Sequence, residues 1–419
     1  MASEDWPFVP LGELTENLDG RRIPVKEIDR KPGPYPYYGA SGIVDRVDGY
    51  LFDGEYLLIG EDGENLRTRQ TPIAFMATGK FWVNNHAHIV RGNHRADTRF
   101  LSYVLSQTEI SGYLTGSTMP KLTQGNLNRL PVITPPLAEQ KAIAAVLGAL
   151  DDKIELNRRM NATLEAMARA LFQSWFVEFD PVRAKLDGRK PVGLDDATAA
   201  LFPDTFQDSA LGHIPRGWTA QRLPDAIEVN PRRVLKAGVI APYLDMKNLP
   251  TQGHSALEVV EREFSSGTKF QNGDTLLARI TPCLENGKTG YVDFLEDGQV
   301  GWGSTEYIVL APKAPLPPQF GYLLARSDAL RAHAIQNMTG TSGRQRVPST
   351  CFDTFFLAVP NPAVASRFGE LTAPLMARIK SNSIESRTLA TLRDTLLPKL
   401  LSGALGIGSV SPSSASTHG

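Results

Sequence analysis

The sequence predicts a mixed α/β (α+β) protein made twice over. Two globular parts of strands and helices are separated by two long antiparallel coiled-coil helices, in a pseudo-two-fold repeat. Three observations predict this. The 419 residues allow several domains of about 100 to 200 residues, each able to bury its own core. Residues 122–176 lie over residues 347–401 at a constant offset of 225 without a gap, apolar on apolar at Leu127 and Phe352, Ile154 and Ile379, and Leu171 and Leu396. Within each copy a long run carries apolar residues at heptad spacing.

In chain order, residues 50–52, 56–59, 72–77 and 87–90 read as short strands punctuated by Gly and Asp, and residues 99–106 as a helix. This first globular part spans residues 1–135. The first long helix takes residues 136–179, after Pro135-Pro136 and before Pro181, with Gly148 as its one glycine. Residues 180–216, with Asp187-Gly188, Pro191, Pro203 and Pro215, read as a loose linker. The second globular part, 217–361, offers strands at 274–280, 289–292 and 306–310 and a helix at 320–334. Trp6 and Trp218, near the starts of the two parts, each stand five residues before a leucine. The second long helix is expected over residues 362–405, kinked at Pro374 or Pro398, and residues 406–419 form a tail that is disordered by composition.

The two helices share a seam. On the first it runs through Leu147, Leu150, Ile154, Asn157, Leu164 and Leu171, and on the second through Leu375, Ile379, Asn382, Leu389 and Leu396. Asn157 and Asn382 hold the same middle position, and a buried amide needs a partner, so they are expected to pair across antiparallel helices. A helix of about 40 residues is ~60 Å long, too long for the interior of a small domain, and reads as a spacer. Phe172, Trp175, Phe176 and Phe179 form an aromatic cluster that closes the seam, offers a docking patch to a partner subunit, or does both.

Charge is balanced, 44 basic against 45 acidic residues, so no global field draws the chain to nucleic acid, and any such binding must use local patches. Arg21, Arg22, Lys26, Arg30 and Lys31 form one candidate patch, and Arg326, Arg331, Arg344 and Arg346 another. Two cysteines cannot build a disulfide scaffold, and residues 1–30 lack a signal peptide's apolar run, so a reducing, cytoplasmic setting is expected. The apolar run 142–150 stops at Asp151-Asp152, short of the ~20 residues that span a bilayer.

Catalytic motifs fail on inspection. Asp225, Asp245 and Lys247 imitate a metal-dependent nuclease, but so loose a pattern arises often by chance. Asn286-Gly-Lys-Thr resembles the end of a phosphate loop, yet Pro282 stands where its first glycine belongs. His86-Ala-His88 lacks a third metal ligand at sensible spacing. No catalytic residue, metal site or cofactor is therefore assigned to this chain. Two rivals stay open: a self-sufficient nuclease using that triplet, and a helical scaffold binding only proteins.

Several segments resemble the specificity subunits of type I restriction-modification enzymes, over nearly all of residues 6–405. The most specific is Leu130-Pro-Val-Ile-Thr-Pro-Pro-Leu-Ala-Glu-Gln-Lys-Ala-Ile-Ala, continuing through Leu150-Asp-Asp-Lys-Ile-Glu-Leu-Asn to Leu171-Phe-Gln-Ser-Trp-Phe. Tyr38-Gly-Ala-Ser-Gly-Ile, Thr115-Gly-Ser-Thr, Gly303-Ser-Thr-Glu-Tyr and Gly340-Thr-Ser-Gly-Arg-Gln-Arg are similar to patterns of target recognition domains. The second long helix departs from the family pattern, with Pro362-Ala-Val-Ala-Ser-Arg at its start. The resemblance implies a non-catalytic reader of a bipartite target in double-stranded DNA, directing methyltransferase (modification) and motor-nuclease (restriction) subunits. S-adenosylmethionine, ATP and Mg²⁺ would then belong to those partners, and the docking patch of the aromatic cluster would serve a methyltransferase subunit. Arg, Lys, Asn and Gln can grip base edges or phosphates. The candidates are Arg67, Arg69, Lys80, Asn84, Ser117, Thr118 and Lys121 in the first half, and Arg279, Glu285, Asn286, Lys288, Ser342, Arg344, Gln345 and Arg346 in the second.

Overall fold

Apolar residues at successive positions of one strand mean that both faces of its sheet are covered, and strand Phe52–Gly60 shows this in the first part. Leu57 and Ile59 enter a core shared with helix Thr98–Gln107, whereas Phe52, Tyr56 and Leu58 enter another with Phe81, Val83 and Ile89. The two strands expected at 50–52 and 56–59 are thus one. Around it the sheet runs in the order Thr15–Asn17, Ala87–Gly92, Phe52–Gly60, Ala74–Val83, Pro32–Gly39, Gly42–Val47. The pairing of Pro32–Gly39 with Ala74–Val83 is parallel, with Tyr37 opposite Trp82.

The computed structural model describes residues 6–341 and 343–406. The chain divides into two compact units, one of residues up to 154 with those from 387 onward, the other of residues 155–386. The expected division set the helices apart from the globular parts, whereas each long helix here contributes to both units. In the first unit Ile143 and Leu147 share a core with Leu397, Leu400 and Leu401. In the second unit Ala168 and Phe172 share one with Phe368, Met376 and Ile379.

The second unit holds two four-stranded sheets, Ile227–Val229, Tyr307–Pro312, Thr275–Ala278, Thr289–Tyr291 and Val260–Glu263, Ile240–Leu244, Gly301–Gly303, Thr268–Phe270. Tyr243 lies opposite Trp302 in a parallel pair, as Tyr37 lies opposite Trp82 in the first unit. The helix expected at 320–334 is broken into Pro318–Ala325 and Asp328–Gln336, because the Ser327 side chain accepts from Leu330 N and starts a new helix. The expected loose linker is a correction: it holds helices Asp180–Leu186 and Asp196–Ala200 and a hairpin, Phe206–Ser209 with Gly212–Pro215. Val182, Phe202 and Ile214 anchor it one by one in the core, a spacing that shows no periodicity in sequence.

The long helices span Leu137–Phe172, followed by a π turn at Gln173–Val177, and Pro362–Leu401. The second keeps its helical course through Pro374 and Pro398, both on exposed positions where an orphaned carbonyl can meet water. Gly148 makes room for a side chain lying across the helix: a Cβ there would stand 2.7 Å from the guanidinium carbon of Arg99, which is ion-paired to Asp152 at 2.5 Å.

Rising numbers on one helix meet falling numbers on the other. In the first unit Asp151 pairs with Arg393 at 2.7 Å, and in the second Asn161 faces Ser383 while Phe172 approaches Phe368. The expected Asn157–Asn382 amide pair is displaced by one turn. Asn382 Nδ2 donates to Asn161 Oδ1 at 2.8 Å, and Asn157 Nδ2 to Glu385 at 2.8 Å and Ser386 at 3.3 Å. Asn157 meets Asn382 itself only at the backbone carbonyl, 3.4 Å away. Of the other seam residues Leu147 and Ile379 are buried, and Leu150, Ile154, Leu164, Leu171, Leu375, Leu389 and Leu396 are half-buried.

Candidate nucleic-acid interface

Each unit carries a short exposed loop with a hydrogen-bonded neck. Thr115 and Lys121 exchange N–H to carbonyl bonds at 2.8 and 2.7 Å, as Thr339 and Arg346 do at 2.9 and 2.8 Å. The next residue donates to the end of the central strand, Leu122 N to Glu61 O and Val347 N to Arg279 O, both at 2.8 Å. That strand residue donates in turn to a neighbouring strand, Glu61 N to His86 O at 2.8 Å and Arg279 N to Glu306 O at 2.9 Å. The two loops are the same construction. Each neck cation also rests on a carboxylate: Lys121 on Glu61 at 3.1 Å, Arg346 on Glu306 at 2.7 Å.

Several candidates come together at these loops. Ser117 and Thr118 are exposed on the first, and Arg67 donates to the carbonyls of Gly116 and Ser117 at 3.2 and 3.4 Å. On the second, Arg344 is exposed, Gln345 is half-buried, and Arg279 sits half-buried beneath the neck. Glu285 and Asn286 are exposed on a nearby turn, whose neighbour Thr281 N donates to Gln345 O at 3.0 Å. Ser342 lies outside the described residues.

Other candidates stand elsewhere. Lys80 is exposed on strand Ala74–Val83, its ammonium 4.7 Å from the Tyr50 ring centroid. Arg69, in a left-handed backbone conformation, turns its guanidinium to the carbonyls of Ser106 and Thr108. Lys288 donates to the carbonyls of Met246 and Lys247 at 2.6 and 3.2 Å. Asn84 is corrected: it is buried, and its Oδ1 accepts from His86 N at 2.8 Å, so it shapes a turn instead of facing solvent.

The docking patch is a second correction. Phe172, Trp175 and Phe176 are buried in the second unit's core, where Phe176 meets Phe368 edge-on at 4.7 Å and Trp175 meets Phe202 at 4.8 Å. Phe179 packs on Trp218 at 5.7 Å. Three of the four rings are thus core side chains and only Phe179, half-buried, keeps part of its surface open.

Sequence reasoning named Arg22 and His88 but missed that they meet Asp19 and Glu61 beneath the first loop. His88 is buried with both ring nitrogens engaged, Nδ1 with Asp19 at 2.6 Å and Nε2 with the Leu122 carbonyl at 2.7 Å. Glu61 accepts from Arg22 at 2.7 Å. No local pattern joins these residues, because they lie far apart in the chain and the fold alone brings them together. Burial raises the Asp19 and Glu61 carboxyls, but His88 and Arg22, with Lys121 for Glu61, outweigh it and hold both below their ordinary values of 3.8 and 4.5. A depressed carboxylate stabilises above its ordinary value and loses that contribution as pH falls through the folded one. Asp19→Asn is therefore expected to flatten the acid-side loss of amide protection in strand Ala87–Gly92, followed by hydrogen exchange from about pH 5 down to 3. Identical pH profiles in variant and parent would contradict this.

The alternative nuclease triplet is occupied otherwise. Asp225 pairs with Arg222 at 3.0 Å, and Asp245 accepts from Lys247 N at 2.9 Å as a turn cap. Among the described residues no group of three or more His, Cys, Asp or Glu side chains could hold a metal ion. No helix among them is long and apolar enough to cross a membrane.

Comparison with known proteins finds one family model and several similar chains. Residues 3–166 match the family described as type I restriction modification DNA specificity domain. A type I restriction enzyme specificity subunit of Haemophilus influenzae is 40% identical over 141 residues, covering 34% of this chain and 36% of that protein, so the match spans about a third of its length. Two others match over far more. The HindI specificity subunit of the same organism is 25% identical over 84% of both chains, and the MjaIX specificity subunit of Methanocaldococcus jannaschii 21% identical over 96% of this chain and 94% of its own. The crystal structure of a type I restriction-modification S subunit from M. genitalium shares the fold, with a TM-score of 0.58 over 94% of this chain and 96% of that one at 15% identity. Residues 3–166 thus match a type I restriction modification DNA specificity domain, and the chain is similar over most of its length to specificity subunits of type I restriction enzymes.

Proposed function

We propose that this chain is the DNA-reading, non-catalytic subunit of a type I restriction-modification complex, in which each unit reads one half of a bipartite duplex target. The observation that carries the reading is the loop with its cationic neck, built on one backbone frame in both units. Two like readers in one chain suit a target of two parts, and the long helices supply the unread spacer between them. Methyltransferase and motor-nuclease subunits would do the chemistry and carry S-adenosylmethionine, ATP and Mg²⁺, in the cytoplasm.

The test is a methylation map of host DNA with and without this chain. Adenine methylation at one split motif is expected to vanish with it, and the purified chain alone should bind duplex but neither cut nor methylate it. Methyl transfer or cleavage by the partner-free chain would overturn the reading. A chain that binds no duplex at any salt concentration would be a protein scaffold instead.

A further inference from the structure

The two exposed arginines of the second loop differ in what they can offer a duplex. Arg346 places Nε and Nη2 on the Glu306 carboxylate, at 2.9 and 3.0 Å for Nε and 2.7 Å for Nη2. Its Nη1 reaches only the Arg344 carbonyl, at 3.4 Å, and its side chain is 45% exposed. Arg344 is exposed, and among the described residues no carboxylate pairs with it. A phosphate contact gains chiefly from charge, through release of the counterions condensed on DNA. A base contact gains from the direction of its donors, and a guanidinium fork matches the O6 and N7 edge of guanine. Arg346 has its charge already offset by Glu306, which removes most of the first gain. The same carboxylate fixes the plane of the guanidinium and leaves its outer Nη1–Nη2 edge only the long contact to the Arg344 carbonyl, which favours the second, since a side chain already held loses less freedom on binding.

We propose that Arg346 reads a guanine in the half-site of the second unit, that Glu306 is its positioning residue, and that Arg344 holds a neighbouring phosphate. This rests on the reading of the chain as a DNA-specificity subunit and assigns roles within it. The first unit has the same frame with the charges rearranged. The carboxylate is Glu61, at the strand end where the second unit has Arg279, and His86 stands where the second unit has Glu306. Its neck cation is Lys121, a point charge without a fork. The guanine fork therefore belongs to one half-site only.

The experiment is selection of duplexes from a random library by the purified full-length chain, followed by binding to the selected duplex across a range of salt. The parent chain is expected to select a split motif with a guanine in one half. Arg346→Ala and Glu306→Gln should both relax that one guanine by roughly 5- to 100-fold and leave the other half-site intact. Their salt dependences should part: Arg346→Ala leaves Glu306 without its partner and cannot steepen the slope of log K against log salt, while Glu306→Gln frees a cation and steepens it by about one. Arg344→Ala should make the slope shallower by about one and keep the guanine. Arg346→Lys keeps the ion pair and the fold but has no fork, and should lose the guanine as Arg346→Ala does.

A shallower slope on Arg346→Ala with the guanine retained would make it a phosphate contact and overturn the assignment. So would a parent motif with no guanine that Arg346 variants relax. A parent chain that selects no duplex overturns both the assignment and the reading it rests on, whereas an unaltered motif in every variant overturns the assignment alone.

Discussion

Trp175→Ala is expected to destabilise the second unit by about 3–5 kcal/mol, the range for removing a large aromatic side chain from a packed core. Trp175 is 1% exposed and lies among Phe176, Phe202 and Phe368, with ring centroids 6.2, 4.8 and 5.9 Å away. Truncation would leave a cavity that three rigid rings and two helices cannot collapse to fill. Urea unfolding followed by near-ultraviolet dichroism measures it, and the midpoint should fall sharply. An unchanged midpoint with loss of a partner subunit would restore the docking patch suggested by the sequence.

Arg326→Ala is expected to cost about as much, roughly 3–5 kcal/mol, for a different reason. Its guanidinium donates to the carbonyls of Thr251, Gly253, Gly287 and Thr289 at 2.7, 2.5, 2.8 and 2.8 Å, and to the Tyr322 hydroxyl at 3.1 Å. One planar fork thus ties residues 251–253 to residues 287–289. Tyr322 in turn donates to Glu165 at 2.6 Å, and burial, reinforced by Glu165 against Arg326, pushes its phenol well above the ordinary range, so it stays a donor. Arg326→Lys is expected to rescue little, because one ammonium cannot span four carbonyls. Thermal unfolding of both variants decides the matter. Wild-type stability in the alanine variant, with weakened duplex binding, would return Arg326 to the basic surface patch where its sequence neighbours Arg331, Arg344 and Arg346 placed it.

These two residues mark where sequence and structure part. The long helices, the gapless repeat and the most apolar strands, such as Phe52–Gly60 and Tyr307–Pro312, were legible, because heptad spacing and apolar runs are local properties and Pro135-Pro136 and Pro181 punctuate the first helix. Polar or short strands such as Pro32–Gly39 and Val260–Glu263 were not. The loop motifs Thr115-Gly-Ser-Thr and Gly340-Thr-Ser-Gly-Arg-Gln-Arg were visible as well, but not that both loops close on the same frame. The seam put Asn157 and Asn382 at the right depth. Their amides still pair one turn away, because antiparallel helices bring each asparagine over the residue four further along its partner, Asn161 or Ser386.

By itself, then, the sequence determined a duplicated mixed α/β chain with two long helices and a family resemblance strong enough to carry a function. Tertiary structure alone decided which charges act as structure and which face solvent. Arg326, Arg69 and Lys288 spend their donors on carbonyls, Arg346 and Lys121 rest on carboxylates, and Arg344 stands exposed. The physical reason is strand register: Gly60 lies opposite Ala87 and Ala278 opposite Tyr307, which sets Glu61 beside His86 and Arg279 beside Glu306. Those partners stand more than twenty positions apart in the chain, where no periodicity joins them.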